Sequence, residues 1–522
     1  MPTYLSPGVY VEEVDRGSKP IEGVGTAVAA FVGFTETAPG DDPADPTGVK
    51  PRLVTNFARF QELYGGFVEG ALLPHAVYGF FNNGGGPCYI CRIPHTEGGS
   101  RVPRRALNSG TKKEIETLEV SALEEGTSIE VVIEPGSSNE GEQSSTFTLQ
   151  VNEGGKEVES FADLTFGRGA RNVESVVNKE STRVRVKAAS ASGISTSERI
   201  PAAGRYALEK TSSATIAVSG KDFEGSELDR TGIRGLVIAD EVTMVAAPDL
   251  VTAATRNGQL DLDLFKAVQT AMVTHCEAAG DRMAILDAPP GMSPQQVMEW
   301  REQTAMYDSK FAALYYPWIS ILDPNSSNGA KKLSIPPSGH MAGIWARNDD
   351  TRGVWKAPAN EVVRGALDVE VKVTKGEQDL LNPIGVNCIR PFGLRGIRLW
   401  GARTLSSDPS WRYVNVRRLF NFVEESILDG TQWVVFEPND IDLWARVKRT
   451  IYAFLLGLWR QGALFGATPE QAFYVKCDEE TNPPESVDEG KLVVEIGIAP
   501  VKPAEFVIFR ISQWQGGAAA AE

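Results

Sequence analysis

The chain has 522 residues, of which 42% are hydrophobic and 23% charged, and its formal net charge is −16. That length exceeds what one core can serve and implies roughly two to four domains. The acidic balance excludes a general nucleic-acid binder, which needs a basic footprint to displace counterions. The charge is uneven, however. Residues 383–460 carry 11 Lys and Arg against 7 Asp and Glu, whereas residues 111–230 carry 14 against 21. In a self-associating chain, such opposed regions can steer subunit contacts; the plain alternative is a solvated surface. Five cysteines, an odd number, point to reduced thiols and folding in the cytosol. The first residues, Met1-Pro-Thr-Tyr-Leu-Ser-Pro-Gly8, show neither a basic nor an apolar stretch, so no secretory signal is expected. The apolar run Ile451 to Trp459 is far short of the ~20 residues that span a bilayer.

In chain order, residues 4–14 read as an extended arm, with a turn at Pro7-Gly8 and the β-rich run Val9, Tyr10, Val11 to Val14. Residues 24–34 read as a buried strand. A Pro/Asp/Gly-rich loop covers 38–50, and helices follow at Asn56–Tyr64 and near 73–83. A Gly-Gly-Gly-Pro break at 84–87 then leads into a strand at Cys88–Ile93. From about 99 to 232 the composition turns to Ser, Gly, Glu and Thr with short alternating runs at 128–134, 146–151 and 183–187, the pattern of a β-rich insertion. Strands at 243–249, 282–287 and 311–318 alternate with helical periodicity over Leu262–Ala279 and Pro294–Met306. That alternation implies a parallel sheet with right-handed crossovers.

The last domain opens near 360. Trp411–Val416 reads as a strand, Asn415 as the cap of a helix bearing Val416, Leu419, Phe420, Val423 and Ile427, and Gly430 as its left-handed terminus. A longer helix from Asn439 places Trp444, Val447, Ile451, Phe454, Leu455 and Leu458 on one face. An Asp442–Arg446 pair on that helix is worth tenths of a kcal/mol. Strands are expected at Leu492–Ile498 and Phe506–Trp514. In the latter, Phe506, Val507, Ile508, Phe509 and Ile511 are apolar on both faces, a pattern that asks for a sheet to join.

Chemical motifs are sparse. Asp249 and Asp287 lie at carboxyl ends of strands, where ligands bind in a doubly wound sheet, but a solvated turn or helix cap explains them as well. Gly155-Lys156, Gly220-Lys221 and Gly490-Lys491 lack the glycine and hydroxyl spacing of a phosphate loop, and Gly23-Val-Gly25 lacks a third glycine. Cys88, Cys91 and His95 have metal-like spacing, but Tyr89 and Ile90 favour a strand, on which positions three apart face opposite ways. Trp345, Trp355, Trp400, Trp411, Trp433, Trp444 and Trp459 suit cores or interfaces more than a ligand groove.

Two dense blocks carry a family resemblance. One is Ser338–Asn360, including Gly-Ile-Trp-Ala-Arg-Asn-Asp-Asp-Thr-Arg-Gly-Val-Trp-Lys-Ala-Pro. The other runs from Arg395-Gly-Ile-Arg-Leu-Trp-Gly-Ala-Arg through Trp411-Arg-Tyr-Val-Asn-Val-Arg-Arg-Leu-Phe420. With Phe436-Glu-Pro-Asn-Asp440 and Thr481-Asn-Pro483, they resemble contractile tail sheath proteins of phage tails, R-type pyocins and related injection machines. One departure is Arg390-Pro-Phe-Gly-Leu-Arg395, where many relatives would show Pro-Gly before Arg-Gly. The resemblance implies an α/β (α+β overall) multidomain subunit. Its expected parts are an N-terminal arm (1–20), a middle α/β domain (21–98 plus 233–358), a β-rich outer insertion (99–232), a tube-side inner domain (359–505) and a C-terminal arm (506–522). It further implies a structural protein without catalytic residues, cofactor or metal. Its arm strands would be Val9, Tyr10, Val11, Val14, Phe506, Val507, Ile508, Phe509 and Ile511, and Arg446, Lys448 and Arg449 would face the tube. The implied partners are copies of itself in stacked hexameric rings, an inner tube protein, a baseplate and a terminator, with no nucleic acid and no membrane insertion. Assembly would occur in the bacterial cytoplasm. An α/β hydrolase or transferase with a β-rich lid, and a carbohydrate-binding surface module, stand as alternatives.

Overall fold

The structure, a computed structural model, describes residues 20–39, 45, 48–68, 70–94, 96–97, 104–112, 115–123, 129–136, 146–167, 169–189, 195–208, 214–215, 218–256, 258–324 and 331–511. Val9, Tyr10, Val11, Val14 and His95 lie outside the described residues. The chain forms two compact units, Met1–Pro94 with Val218–Glu522, and His95–Ala217.

The first unit is built on a sheet whose strands, in chain order, are β1 (Ala29–Gly33), β2 (Arg52–Val54), β3 (Cys88–Arg92), β4 (Met244–Ala246), β5 (Met283–Asp287), β6 (Ala312–Tyr316), β7 (Glu361–Val362), β8 (Val386–Pro391) and β9 (Ile397–Leu399). Their spatial order is β2-β3-β1-β4-β5-β6-β8-β9-β7. The six strands from β3 to β8 in that order run parallel, and β2, β9 and β7 add antiparallel edges. The inner strands are buried on both faces, which is why they read as continuous apolar runs rather than alternating ones. The sheet draws strands from both sides of residue 358, taking Glu361–Val362, Val386–Pro391 and Ile397–Leu399 from beyond it. Val218 and Phe223, from the stretch expected in the insertion, also sit in the core of this unit.

Successive side chains divide between two cores. Val32, Val245, Leu286 and Leu314 face one core, which contains Phe265, Val268 and Met272 of the long helix Leu262–Ala279. Phe31, Ile90, Ile285 and Tyr315 face the other, with Phe80 of helix Leu73–Asn82 and Trp345 of helix Ser338–Arg352. Cys88 packs in the second core and Cys91 in the first, so the two thiols lie on opposite sides of β3. The helix over Ser338–Arg352 carries the first signature block and is buried along most of its length. A Cβ on Gly339 would lie 2.3 Å from the Ala76 carbonyl oxygen, and one on Gly343 2.4 Å from that of Phe80. The two glycines therefore let this helix meet Leu73–Asn82 backbone to backbone.

The carboxyl-terminal part of this unit contains α1 (Val414–Gly430), α2 (Ile441–Arg460) and a hairpin of β10 (Phe473–Lys476) and β11 (Glu495–Ile498). Trp444, Val447, Ile451, Leu455 and Leu458 bury the expected face of α2 among Leu419, Val423 and Phe473. Three local expectations are corrected. Trp411 ends a short 3₁₀ turn and Val414–Val416 are already helical, so no strand forms there. Asn415 lies inside α1, where its side-chain amide donates to the carbonyls of Trp355 and Val501 instead of capping. Gly430 is the last helical residue, and a Cβ there would fall 2.6 Å from Ile21. Close approach of the amino-terminal segment, rather than a left-handed turn, requires glycine at 430.

That segment is fastened along α1. The Val24 amide donates to Ser426 Oγ at 3.1 Å, and Arg418 donates to the Thr26 carbonyl at 2.8 Å. Arg418 also forms a two-pronged pair with Asp349 at 2.8 and 2.5 Å, to which the Thr26 hydroxyl adds a 2.6 Å bond. Both side chains are buried and bonded to each other and to Thr26, the kind of setting in which an internal ion pair is tolerated.

Besides a short antiparallel pair of Thr96–Glu97 with Ala214–Thr215, the second unit holds two larger antiparallel sheets. Arg104–Asn108, Glu116–Ala122 and Val184–Ala188 form one; Ile129–Pro135, Phe147–Glu153, Lys156–Leu164 and Gly204–Ala207 form the other. Their inward residues, including Leu118, Val120, Val131, Leu149 and Val151, share a separate core with Val173 and Val177 of a short helix. Among the described residues, no helix is long and apolar enough to cross a membrane.

Removing one member of the buried pair leaves the other charge uncompensated. Asp349→Ala should destabilise the protein by about 3–5 kcal/mol. Thermal unfolding would register this as a clear drop in midpoint, and an unchanged midpoint would show that water reaches Arg418.

Candidate assembly surfaces

Past β11 the chain runs back along the molecule with its amide groups anchored at intervals. Phe465 donates to Ala499, Ala499 donates to Ala472, and Val501 donates to Ala463. It then reaches Glu505, whose carboxylate is held by four donors. Oε1 accepts from Arg403 Nε at 2.9 Å and Asn382 Nδ2 at 2.7 Å. Oε2 accepts from Arg403 Nη2 at 2.7 Å and the Tyr413 hydroxyl at 2.9 Å. Partial burial works to raise the Glu505 carboxyl pKa, but these donors, led by Arg403, outweigh it and hold the group below its ordinary value. Sequence reasoning missed Glu505, because its three partner residues stand at least 92 positions away in the chain.

Immediately beyond this fixed point the chain leaves the body of the unit. Phe506, Val507, Ile508, Phe509 and Ile511 are between 68% and 95% exposed. Residues 506–511 form no strand within the chain, which corrects the expectation of a strand there as far as the described residues go. An isolated run cannot make a strand, because ladder bonds need a neighbouring backbone. Nearby, β10 and β11 pair only with each other among the described residues, leaving both outer edges of that hairpin open.

On α2, Arg446, Lys448 and Arg449 are exposed on the face opposite the core. Arg446 bonds Glu437 Oε2 at 3.0 Å and lies 5.3 Å from the Trp433 ring centre, not against Asp442. Asp440 is the residue that caps this helix, accepting from the Leu443 amide at 2.8 Å.

The remaining candidates are packed into the fold. Asp249 accepts from the amides of Phe34 (2.6 Å), Leu73 (3.1 Å) and Leu72, tying the ends of two strands to the start of helix Leu73–Asn82. Asp287 accepts from the Ser338 amide at 2.8 Å at the start of the signature helix. Burial pushes both carboxyls up to about 7. Burial likewise raises the thiols of Cys88 and Cys91, the latter to about 12. All five cysteines are free and buried. Trp345 is enclosed and donates to the Tyr315 hydroxyl at 2.9 Å. Trp444 is a core residue, and Trp355, Trp433 and Trp459 pack against the same core, so these tryptophans do not line one groove. No group of three or more His, Cys, Asp or Glu that could hold a metal occurs among the described residues.

An exposed apolar run beyond an anchored residue and a hairpin with unpaired outer edges among the described residues are features of a protein that assembles. Comparison with known proteins agrees. Residues 247–405 match the model of the phage tail sheath protein central domain, and residues 406–513 that of the phage tail sheath C-terminal domain. A sequence from Pseudomonas aeruginosa described as a prophage major tail sheath protein is 30% identical over 324 residues, covering 60% of this chain and 78% of that protein. The tail sheath protein of Enterobacteria phage T4 is 24% identical over 235 residues, 43% of this chain and 35% of its own. Two solved structures share the fold. The sheath complex of the PVC extracellular contractile injection system in its contracted state superposes with TM-score 0.58 at 23% identity, over 98% of this chain and 99% of that one. The helical sheath of the anti-feeding prophage in its contracted state gives 0.57 at 24%, over 98% and 100%. The chain belongs to the phage tail sheath family.

The buried aspartates give the fold a pH signature. Their folded-state values lie above the ordinary carboxylate value, so the linked stability is present at low pH and is lost as pH rises through about 7. Asn at 287 keeps an acceptor for the Ser338 amide but does not titrate. Asp287→Asn should therefore flatten the stability change between pH 8 and 6 by about 1 kcal/mol, as measured by denaturant melts at both pH values. Parallel pH profiles for variant and wild type would contradict the buried-acid assignment.

Proposed function

We propose that this chain is the repeating subunit of a contractile sheath. It polymerises helically around an inner tube and shortens to drive that tube through a target envelope. The observation that carries this reading is the exposed apolar segment 506–511 set directly after a fixed residue. Such a segment is suited to complete the sheet of another copy by β-augmentation. The β10–β11 hairpin, with two open edges, is the acceptor we assign. One edge would take the carboxyl-terminal arm of a neighbour, and the other an amino-terminal arm through Val9, Tyr10, Val11 and Val14. Each backbone bond so formed contributes roughly 0.5–1.5 kcal/mol, so an arm making about five contributes a few kcal/mol. Repetition around rings converts that into a mesh.

In this reading the large sheet unit moves as a rigid body and the arms flex. New interfaces between subunits in the compact state supply the free energy, with no nucleotide consumed. The β-rich unit faces outward, and the region of α2 with Arg446, Lys448 and Arg449 faces the tube. The partners are copies of the chain in stacked hexameric rings, a tube protein, a baseplate and a terminator. Assembly is in the bacterial cytoplasm, with action there or in released particles. We assign no catalytic role to Asp249 or Asp287. Both are enclosed and accept backbone amides, which supports a structural role over that of a hydrolase or transferase.

Deletion of residues 506–522 should leave soluble subunits with a near-normal melting temperature that form no tubes in negative-stain micrographs. Striated tubes of ordinary length from that truncation would count against the interlocked lattice. Replacing Arg446, Lys448 and Arg449 together with Ser should leave the fold intact, since all three are exposed. It should weaken co-sedimentation with the tube about tenfold and reduce its salt dependence. Unchanged co-sedimentation would remove α2 from the tube interface.

A further inference from the structure

We infer that Glu505 and Arg403 are the positioning residues of the carboxyl-terminal arm: their ion pair fixes the arm's base to the central sheet, so that pull on the arm is delivered to the rigid body. This rests on the reading that the arm engages another subunit. The boundary between fixed and free chain is abrupt. Each carboxylate oxygen of Glu505 accepts two hydrogen bonds, whereas the next residue, Phe506, is 72% exposed. A chain that passes from a four-bonded side chain to open solvent across one peptide has its pivot at that peptide.

The far side of the clamp is equally specific. Arg403 is 8% exposed, and its Nη1 donates to the Asn382 carbonyl at 3.2 Å. Its own backbone is gripped by Asn387, whose Oδ1 accepts the Arg403 amide at 2.7 Å and whose Nδ2 donates to the Arg403 carbonyl at 2.8 Å. Asn387 is fully buried on β8 and also donates to the Leu314 carbonyl on the adjacent strand at 3.2 Å. A continuous set of bonds thus runs from Glu505 through Arg403 and Asn387 to two central strands. Gly401 belongs to the same arrangement, because a Cβ there would lie 2.8 Å from Asn387 Oδ1. The bidentate guanidinium–carboxylate geometry resists both rotation and translation of the arm's base, which a single hydrogen bond does not.

The alternative is that Glu505 only stabilises the fold, and the experiment separates the two. Because all five native cysteines are buried, Ile508→Cys supplies a selectively reactive thiol in the arm for a fluorescent label. Glu505→Gln removes the charge but keeps the shape; Arg403→Lys keeps the charge but loses the fork. Each variant is measured in the full-length chain for label anisotropy in the unassembled subunit, melting temperature and the protein concentration at which sheaths form.

The expected result is lower anisotropy in both variants, melting temperatures within a few degrees of wild type, and an assembly concentration raised at least tenfold. Anisotropy equal to wild type in both variants would overturn the anchor. So would a large fall in melting temperature accompanied by unchanged assembly of the folded fraction. Removal of 506–522 serves as the control. If that truncation assembles normally, the inter-subunit role of the arm fails, while the anisotropy result still decides whether Glu505 and Arg403 fix its base.

Discussion

Residues 506–511 expose five large apolar side chains and pair with no strand among the described residues, a state that costs free energy until another surface covers it. Natural proteins avoid leaving such apolar, strand-prone segments exposed unless a partner is intended, since they template aggregation. The rest of the molecule answers this constraint in a consistent way. The segment follows a residue whose carboxylate accepts four hydrogen bonds, the clamp there leads to the buried strands β6 and β8, and a hairpin of the same unit has outer edges unpaired among the described residues.

Polar side chains brace the first unit at joints between its elements. Asp249 ties two strands to a helix start, Asp287 holds the signature helix, Asn387 links β6 to the loop after β9, and Arg418 with Asp349 fastens the amino-terminal segment to α1. Each is buried and bonded to backbone or to an opposite charge, so each adds directional restraint that apolar packing alone does not provide. In a contracting polymer, a body that does not deform transmits rotation without loss. That logic also accounts for the enclosed carboxylates, which in a strand-end position otherwise invite a catalytic reading.

The amino- and carboxyl-terminal segments enter the same region of the first unit. Residues 21–26 lie against α1 through Ile21, Val24 and Thr26, and residues 499–505 pass over Ala472, Ala463 and Asn415 to Glu505. Both bases are therefore set beside α1, the helix into which the second signature block runs. The aromatic and arginine residues of Trp411–Phe420 serve this arrangement internally. Arg417 lies 4.5 Å from the Trp411 ring centre, Arg418 lies 4.9 Å from that of Trp345, and Tyr413 reaches Glu505.

The chain's own periodicities determined the alternating strands and helices of the parallel sheet, the amphipathic α2 and the antiparallel runs of the β-rich unit. Those patterns are local: a face repeats every two or 3.6 residues, and burial follows from it. The apolar character of 506–511 was equally legible, because no tertiary contact alters it. Only the tertiary structure decided the roles of Asn415, Gly430, Glu505 and the helix of Ser338–Arg352. Asn415 looked like a cap until Trp355 and Val501 were brought to it, and Gly430 looked like a helix stop until Ile21 was laid against it. The Ser338–Arg352 helix has small and polar residues where a surface helix shows a stripe, since it is buried nearly all round by a sheet and a second helix. Glu505 carries no local sign at all: its function depends on Arg403, Asn382 and Tyr413, which only folding places within hydrogen-bonding reach of one carboxylate.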